Sequence, residues 1–540
     1  MRRRIISPAI AALLVLLFGA LLTGCGGSGS GTAGAGAGGA GAAGAGAAGA
    51  GVAAAAQSVP GGRPVAVSVS ARTVGRPIPP GFLGFSFEFQ AVRAYTGHDP
   101  SAINPVLVQL IRNLTPGQQP VLRIGGDSTD DVYVPAPGVR APAYVTYRLT
   151  PGWLATTAAL ARQLNARMIM GVNLGANDPG LAAAEARAYV RAFGARAIDA
   201  LEIGNEPNVY SKVTVFHTVL GLPVPARPRS FGYPQFRRQF HAIAHRLPSL
   251  ALAGPALAVG PSSTKGSWLD QIRGFLAGLP RLAVLTVHRY PLRNCFVPAS
   301  SPQYPSIPHL LSSYSTVGLA GSLRGWIAAA HGMHRRLRVD EVNSVACRGK
   351  AGVSDTFASA LWATDALFSL ARAGVDGVDM HTLPHSAYEL FRFSHRGGRW
   401  HAYVAPVYYG LQLFAQAAPP GSRLLGVTRS GADSGLSAWA TRAPDGTMRV
   451  VLINKDPAHG ATVTLTAPGG AAGAAATVQR MTAPGVASRS EVALGGRSYG
   501  SQTYTGTLAA PITSTVTAVT GRMTVAVPRG SAALVTLPAG

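Results

Sequence analysis

Leu201-Glu202-Ile203-Gly204-Asn205-Glu206-Pro207 starts as an apolar alternation and breaks off abruptly in Asn-Glu-Pro. Alternation is the period of a strand, and Pro207, with a fixed φ and no N–H for a sheet, turns the chain away one residue after Glu206. Glu206 therefore belongs at a strand end. Leu337-Arg338-Val339-Asp340-Glu341 runs out in the same manner, in an acidic pair followed by Val342 and Asn343.

Six more runs rich in Val, Ile and Leu surround these two, which occupy 199–205 and 336–342. They are 82–89, 119–125, 167–173, 250–256, 282–288 and 375–381. Stretches of helical period separate them, among them 180–194, 233–246 and 354–372, so 81–418 reads as repeated strand–helix units of the α/β class. A doubly wound open sheet competes with a closed (β/α)8 TIM barrel. Polar and ionisable residues gather at the C-terminal ends of nearly all eight runs, which is where a barrel assembles its site, and this decides for the barrel. From 419 to 540 short alternating segments such as Met448–Asn454, Ala461–Thr466 and Met523–Val527 are broken by Gly, Pro, Asp and Ser, the mark of an antiparallel β-sandwich. The strand-like stretch within 61–80 is expected to join it.

The chain has 540 residues, 47% hydrophobic and 13% charged, enough apolar material for a large core and too little charge for a disordered chain. Lys+Arg 47 against Asp+Glu 22 leaves a net charge of +25, a field that draws nucleic acid, anionic lipid or an acidic polymer. The arginines are spread without a long basic run and no nucleic-acid module is recognisable, so no nucleic-acid partner is expected.

Residues 1–25 read as an export leader: Arg2, Arg3 and Arg4, then an apolar stretch from Ile10 to Leu22, then Leu22-Thr23-Gly24-Cys25. That ending resembles the lipobox of bacterial lipoproteins, which implies lipidation of Cys25 and an exported protein anchored at the outer face of the cell membrane. Residues 26–60 are almost wholly Gly and Ala and uncharged, a flexible tether. Outside the cell the remaining Cys295 and Cys347 are expected to form a disulfide, with two separate thiols as the alternative.

With only 22 carboxylates in the chain, their places carry information. Glu88 closes the first run, Asp127, Asp130 and Asp131 follow the second, Glu206 the fourth and Glu341 the seventh, and Asp379 lies near the end of the eighth. Strands four and seven face each other across a barrel. Two carboxyls so placed divide the work of glycoside hydrolysis, one giving a proton and one staying anionic; ~5–5.5 Å between them makes the enzyme retaining and ~6.5–9.5 Å inverting. An ionised Glu341 would disfavour ionisation of Glu206 and keep it an acid.

At these residues the chain resembles the retaining clan A glycoside hydrolases, with Asn205-Glu206-Pro207 after one strand and Glu341 ending another. Leu122-Arg123-Ile124-Gly125-Gly126-Asp127-Ser128-Thr129-Asp130, Val287-His288-Arg289-Tyr290-Pro291, and Glu341-Val342-Asn343-Ser344 followed by Gly352-Val353-Ser354-Asp355 are narrower. Together they resemble glycoside hydrolase family 79, the β-glucuronidases that include heparanase, over roughly 64 to 540. The resemblance implies Glu206 as acid/base, Glu341 as nucleophile, Asn205 on the sugar 2-hydroxyl, Tyr290 on the nucleophile, and Glu88 and Asp127 accepting from sugar hydroxyls. His288 belongs to the same set, either as a sugar contact or as a neighbour of the nucleophile.

For a uronate carboxylate the resemblance implies Tyr388. Bacterial members of the family add a tyrosine and a glycine after the nucleophile, where this chain has Ser344-Val345-Ala346-Cys347-Arg348-Gly349-Lys350. Arg348 or Lys350 would supply charge-assisted contacts instead, and a Cys295–Cys347 bridge would pin the loop. The expectation is a lipid-anchored retaining β-glucuronidase without a cofactor, acting on uronic-acid-containing carbohydrate. Its rivals are a retaining β-glucosidase or β-xylosidase and a non-catalytic lipoprotein that binds acidic polysaccharide. His381 and His385 have helical spacing but follow a strand, which argues against a zinc site.

Overall fold

A computed structural model describes residues 62–142, 145, 147–212, 214–217 (backbone only), 222–261, 268–431 and 435–539. The leader, Cys25 and the Gly/Ala tether lie outside the described residues. Leu83–Glu88, Val121–Gly125, Arg167–Val172, Ile198–Ile203, Leu252–Ala258, Leu282–His288, Arg336–Val342 and Gly377–Thr382 pair in parallel and in chain order. The eighth returns to the first, with Val378 opposite Leu83, and closes a (β/α)8 barrel. All eight expected runs overlap these strands.

Helices cover the outside and side chains fill the inside, so both faces are dry, and Val121–Gly125 and Gly377–Thr382 are buried at every position, their polar residues included. Inside, Val121, Ile169, Ala200, Ala253 and Val284 form an apolar plug, one residue from each of strands two to six. Two residues further along, the same inward face carries Arg123, Glu202 and Thr286, all fully buried. A charged layer thus lies directly on the plug, just below the mouth.

The long helix Phe357–Ala373 docks the second domain. Its buried Asp365 accepts from Trp439 Nε1 (2.7 Å), Lys455 Nζ (2.8 Å) and Ser437 Oγ (3.0 Å), while Phe368 stacks on Trp439 at 5.6 Å. In that domain ten strands form one continuous sheet. Val478 and Val525, from opposite ends of its path, share an apolar core with Val65 and Val67, so the sheet folds over into two layers. It departs from a purely antiparallel sandwich in one place. Arg63–Val74 enters ahead of the barrel and runs antiparallel to Arg423–Gly431 but parallel to Ala461–Thr466.

Candidate active site

Nine residues singled out in the sequence for catalysis or sugar contact, and both cysteines of the disulfide, line one cavity of about 590 Å³. It opens at the C-terminal ends of the barrel strands. Glu206 follows the fourth strand with φ 48° and ψ 47°, a left-handed conformation that costs a non-glycine residue about a kcal/mol or more. Its N–H donates to Ala256 O at 2.8 Å, which pins that turn. Glu341 is the penultimate residue of the seventh strand, where Arg289 N–H donates to its carbonyl at 3.0 Å. One carboxylate oxygen of each glutamate and one nitrogen of His288 all lie within 4.8 Å of one another.

Glu341 is surrounded by donors. Arg123 Nη1 donates to Oε2 at 2.9 Å and Tyr290 OH to Oε1 at 3.0 Å, with His288 Nδ1 at 3.8 Å and His381 Nδ1 at 3.9 Å. Burial by itself pushes its carboxyl up, but His381, His288 and Arg123 outweigh it and hold the group well below the usual carboxylate range. Burial pushes the Tyr290 phenol well up, followed by the charge of Glu341, so it stays a donor to that carboxylate.

Arg123 organises the floor. Besides Glu341, its guanidinium donates to Glu202 Oε2 (2.7 Å), Asn205 Oδ1 (2.9 Å) and Ser86 Oγ (3.1 Å), and lies 3.4 Å from Asp340 Oδ2 and 3.2 Å from His288 Nε2. Burial, opposed by Arg123 and reinforced by Asp340, raises Glu202 to about 8. Arg123, Glu202 and Asp340, and His381 as a member of the site, do not stand out in the sequence alone. The available signal was an ionisable residue on the inward face of an apolar strand, as in Leu122-Arg123-Ile124, which needs a partner inside the barrel.

His288, 2% exposed, sits between the two glutamates, with Nδ1 2.9 Å from Glu206 Oε1. Burial lowers its affinity for a proton, but Glu341 and Asp340 reverse this and raise it well above the ordinary imidazole value. Of the two roles weighed for it, the geometry gives the neighbour of the glutamates, because both ring nitrogens already face protein partners.

Glu88, expected as a sugar acceptor, lines the cavity and is also held by the chain around it. Its carboxylate accepts the N–H groups of Asp127 (3.1 Å) and Ser128 (2.9 Å) and the Ser128 hydroxyl, and so caps the turn Asp127–Asp131 from the neighbouring first strand. Gly126 permits this approach: with φ 79°, a Cβ there would overlap the Glu88 carboxyl. Asp127 is exposed to the cavity and accepts from Asn205 Nδ2 at 3.1 Å. Enclosure first, then the charges of Glu88, Glu206 and Glu341, raise its carboxyl well above the usual range. Asn205 thereby has its amide oriented between Arg123 and Asp127.

Two more acidic residues read as mouth residues are structural. Asp130 accepts from Leu174 N, Gly175 N and Tyr210 OH. Asp379 takes both prongs of Arg338 inside the barrel, in room left by Gly84 and Gly377.

Cys295 and Cys347 are joined, with Cα atoms 6.1 Å apart, and tie the loop after the sixth strand to the loop after the nucleophile. The short parallel pair Leu292–Arg293 and Val345–Ala346 runs beside the bond. Arg348 and the buried Tyr388 line the cavity, and Arg348 O accepts from Ala387 N at 2.9 Å. Lys350 is exposed and does not line it.

Among the described residues, Glu206, His288 and Glu341 have ligand atoms close enough to hold a metal ion. Those atoms already contact one another, Arg123 and Tyr290. His381 lies buried in the cavity wall and His385 is exposed outside it, so the two do not converge.

Residues 438–534 match the model of the glycosyl hydrolase family 79 C-terminal beta domain. A β-glucuronidase of Neurospora crassa is 23% identical over 391 residues, covering 66% of this chain and 67% of that protein. Among solved structures, a 4-O-α-L-rhamnosyl-β-D-glucuronidase from Fusarium oxysporum superposes with TM-score 0.66 at 20% identity, covering 87% of this chain and all of the other. A family 51 arabinofuranosidase from Xanthomonas axonopodis pv. citri gives TM-score 0.63 at 15% identity, covering 88% and 100%. At these identities the structural likenesses establish the fold, a barrel with a β-domain.

Proposed function

We propose that this glycoside hydrolase is a retaining β-glucuronidase of glycoside hydrolase family 79. The observation that carries the hydrolytic mechanism is the approach of one oxygen of Glu206 and one of Glu341 to within 4.8 Å, which fits the close spacing of a double displacement and not the ~6.5–9.5 Å of an inverting pair. Glu341, ionised and held by Arg123 and Tyr290, attacks the anomeric carbon. The glycosidic C–O bond breaks, and Glu206 gives its proton to the leaving oxygen. A glycosyl ester on Glu341 results. Water, deprotonated by Glu206, then attacks the same carbon and frees Glu341, so the sugar keeps its configuration.

Three features support glucuronic acid as the sugar: the Neurospora relative, the match of the β-domain, and a tyrosine with an arginine, Tyr388 and Arg348, on one wall of the cavity. The Tyr388 phenol, pushed well up by burial and then by Glu341, stays protonated and donates to the uronate, while Arg348 offers a planar fork. The exported, Cys25-anchored form is part of the same proposal and rests on the leader sequence.

A panel of chromogenic β-glycosides on wild type and Glu341→Gln tests the reading. Turnover of the β-glucuronide, lost in the variant, supports it; turnover of neutral sugars alone defeats the glucuronidase assignment and leaves the glycosidase.

A further inference from the structure

The cavity changes charge with height on one side. Its half-buried part carries Glu341 and Glu206, whereas the disulfide-tied loops present the exposed Arg293 and Arg348. Among the described residues, neither guanidinium has a hydrogen-bond or ion-pair partner. Beside Arg293 stands Phe296, which lines the same cavity and is 84% exposed, the largest exposure among the large hydrophobic side chains of the described residues. Phe296 is also held at φ 58°, a left-handed conformation unfavourable to a bulky side chain. The backbone around it is fixed on both sides: Arg293 N–H donates to Gln303 O at 2.9 Å, Asn294 N–H to Ala346 O at 3.2 Å, and Cys295 is bonded to Cys347. An aromatic ring kept in water by a strapped, strained loop at the rim of a catalytic cavity is a surface waiting for a ligand.

We propose that Phe296 and Arg293 form the subsite for the leaving group, and that this leaving group is an anionic sugar. The inference rests on the glycosidase reading above. Glu341 is nearly buried, so the sugar being cleaved lies deep and its neighbour lies at the rim. There the C–H face of a pyranose stacks on the Phe296 ring, and an acidic substituent, carboxylate or sulfate, meets the Arg293 guanidinium. The substrate class is then an acidic oligosaccharide or polysaccharide end, and small alkyl conjugates are poor substrates.

The test compares kcat/KM for three β-glucuronosyl disaccharides, with a neutral, a sulfated or a uronic second sugar, against methyl β-glucuronide. In Phe296→Ala the ratio of disaccharide to methyl glycoside is expected to fall about tenfold, the scale of one lost pocket contact. Phe296→Trp should keep it within about twofold, because the stacking face is retained. In Arg293→Ala the preference for the acidic over the neutral second sugar should disappear, and in wild type that preference should shrink with added salt. The sulfate and carboxylate arms show which anion is preferred. Unchanged ratios in Phe296→Ala overturn the subsite, and an acidic preference that survives Arg293→Ala overturns its charge assignment. If wild type cleaves no glucuronide but turns over another glycoside, only the sugar assignment fails, and the same ratios measured with that sugar decide the subsite.

Discussion

Arg123, wholly inside the barrel, donates from Nη1 to Glu341 Oε2 at 2.9 Å while its Nε donates to Glu202 Oε2 at 2.7 Å. One planar group thus links the nucleophile to the charged layer on the apolar plug.

A lysine keeps the charge but has no fork to reach Glu202, Asn205 and Glu341 together. Arg123→Lys is expected to lower kcat at least ~100-fold and to lower the melting temperature, since buried carboxylates lose their partner. The pH profile gives the sharper readout. Glu341 must be ionised to attack, and its lowered carboxyl puts the acid limb below the usual carboxylate range. Weakening Arg123 moves that limb to higher pH; an acid limb that stays in place contradicts the assignment.

Glu202 is raised from about 4.5 to about 8, chiefly by burial. A group raised in the folded state contributes stability that is fully present below pH 4.5 and is lost as pH rises through about 8. Urea unfolding at pH 5 and pH 9 should show wild type losing more stability than Glu202→Gln, by about a few kcal/mol, because the amide keeps the shape without the ionisation. Equal losses in the two proteins contradict the buried proton.

Arg348→Ala should reduce kcat/KM for an aryl β-glucuronide about tenfold or more, and that for the matching β-glucoside far less, since a charge-assisted contact to the uronate is worth ~1.5–3 kcal/mol. Equal losses on both sugars reject the clamp.

For the leader, Cys25→Ser expressed in a bacterial host should abolish incorporation of labelled fatty acid and release the enzyme from the membrane fraction. Release without any prior labelling of wild type contradicts the lipid anchor.

The strands were legible because a barrel strand is apolar on both faces and stops abruptly at a polar mouth, as at Asn205-Glu206-Pro207 and Asp340-Glu341. The two glutamates could be found for the same reason. Roles set by register across the closed barrel were not legible. Asp379 reads as a mouth residue until the seventh and eighth strands pair and place Arg338 on it, and the two N–H groups that hold the Glu88 carboxylate come to it only once the turn at Gly126 forms. Arg123 lies in the quoted motif, but its six partners come from strands one, four, six and seven and from the turn after strand four. No local pattern contains them.

The most direct test is trapping with 2-deoxy-2-fluoro-β-D-glucuronosyl fluoride, in which fluoride leaves and the fluorosugar stays bound to the attacking carboxylate. Peptide mass spectrometry should find one equivalent, on Glu341, with loss of turnover in step with labelling. Labelling at any other residue, or turnover of glucuronide with inversion at the anomeric carbon, contradicts the account.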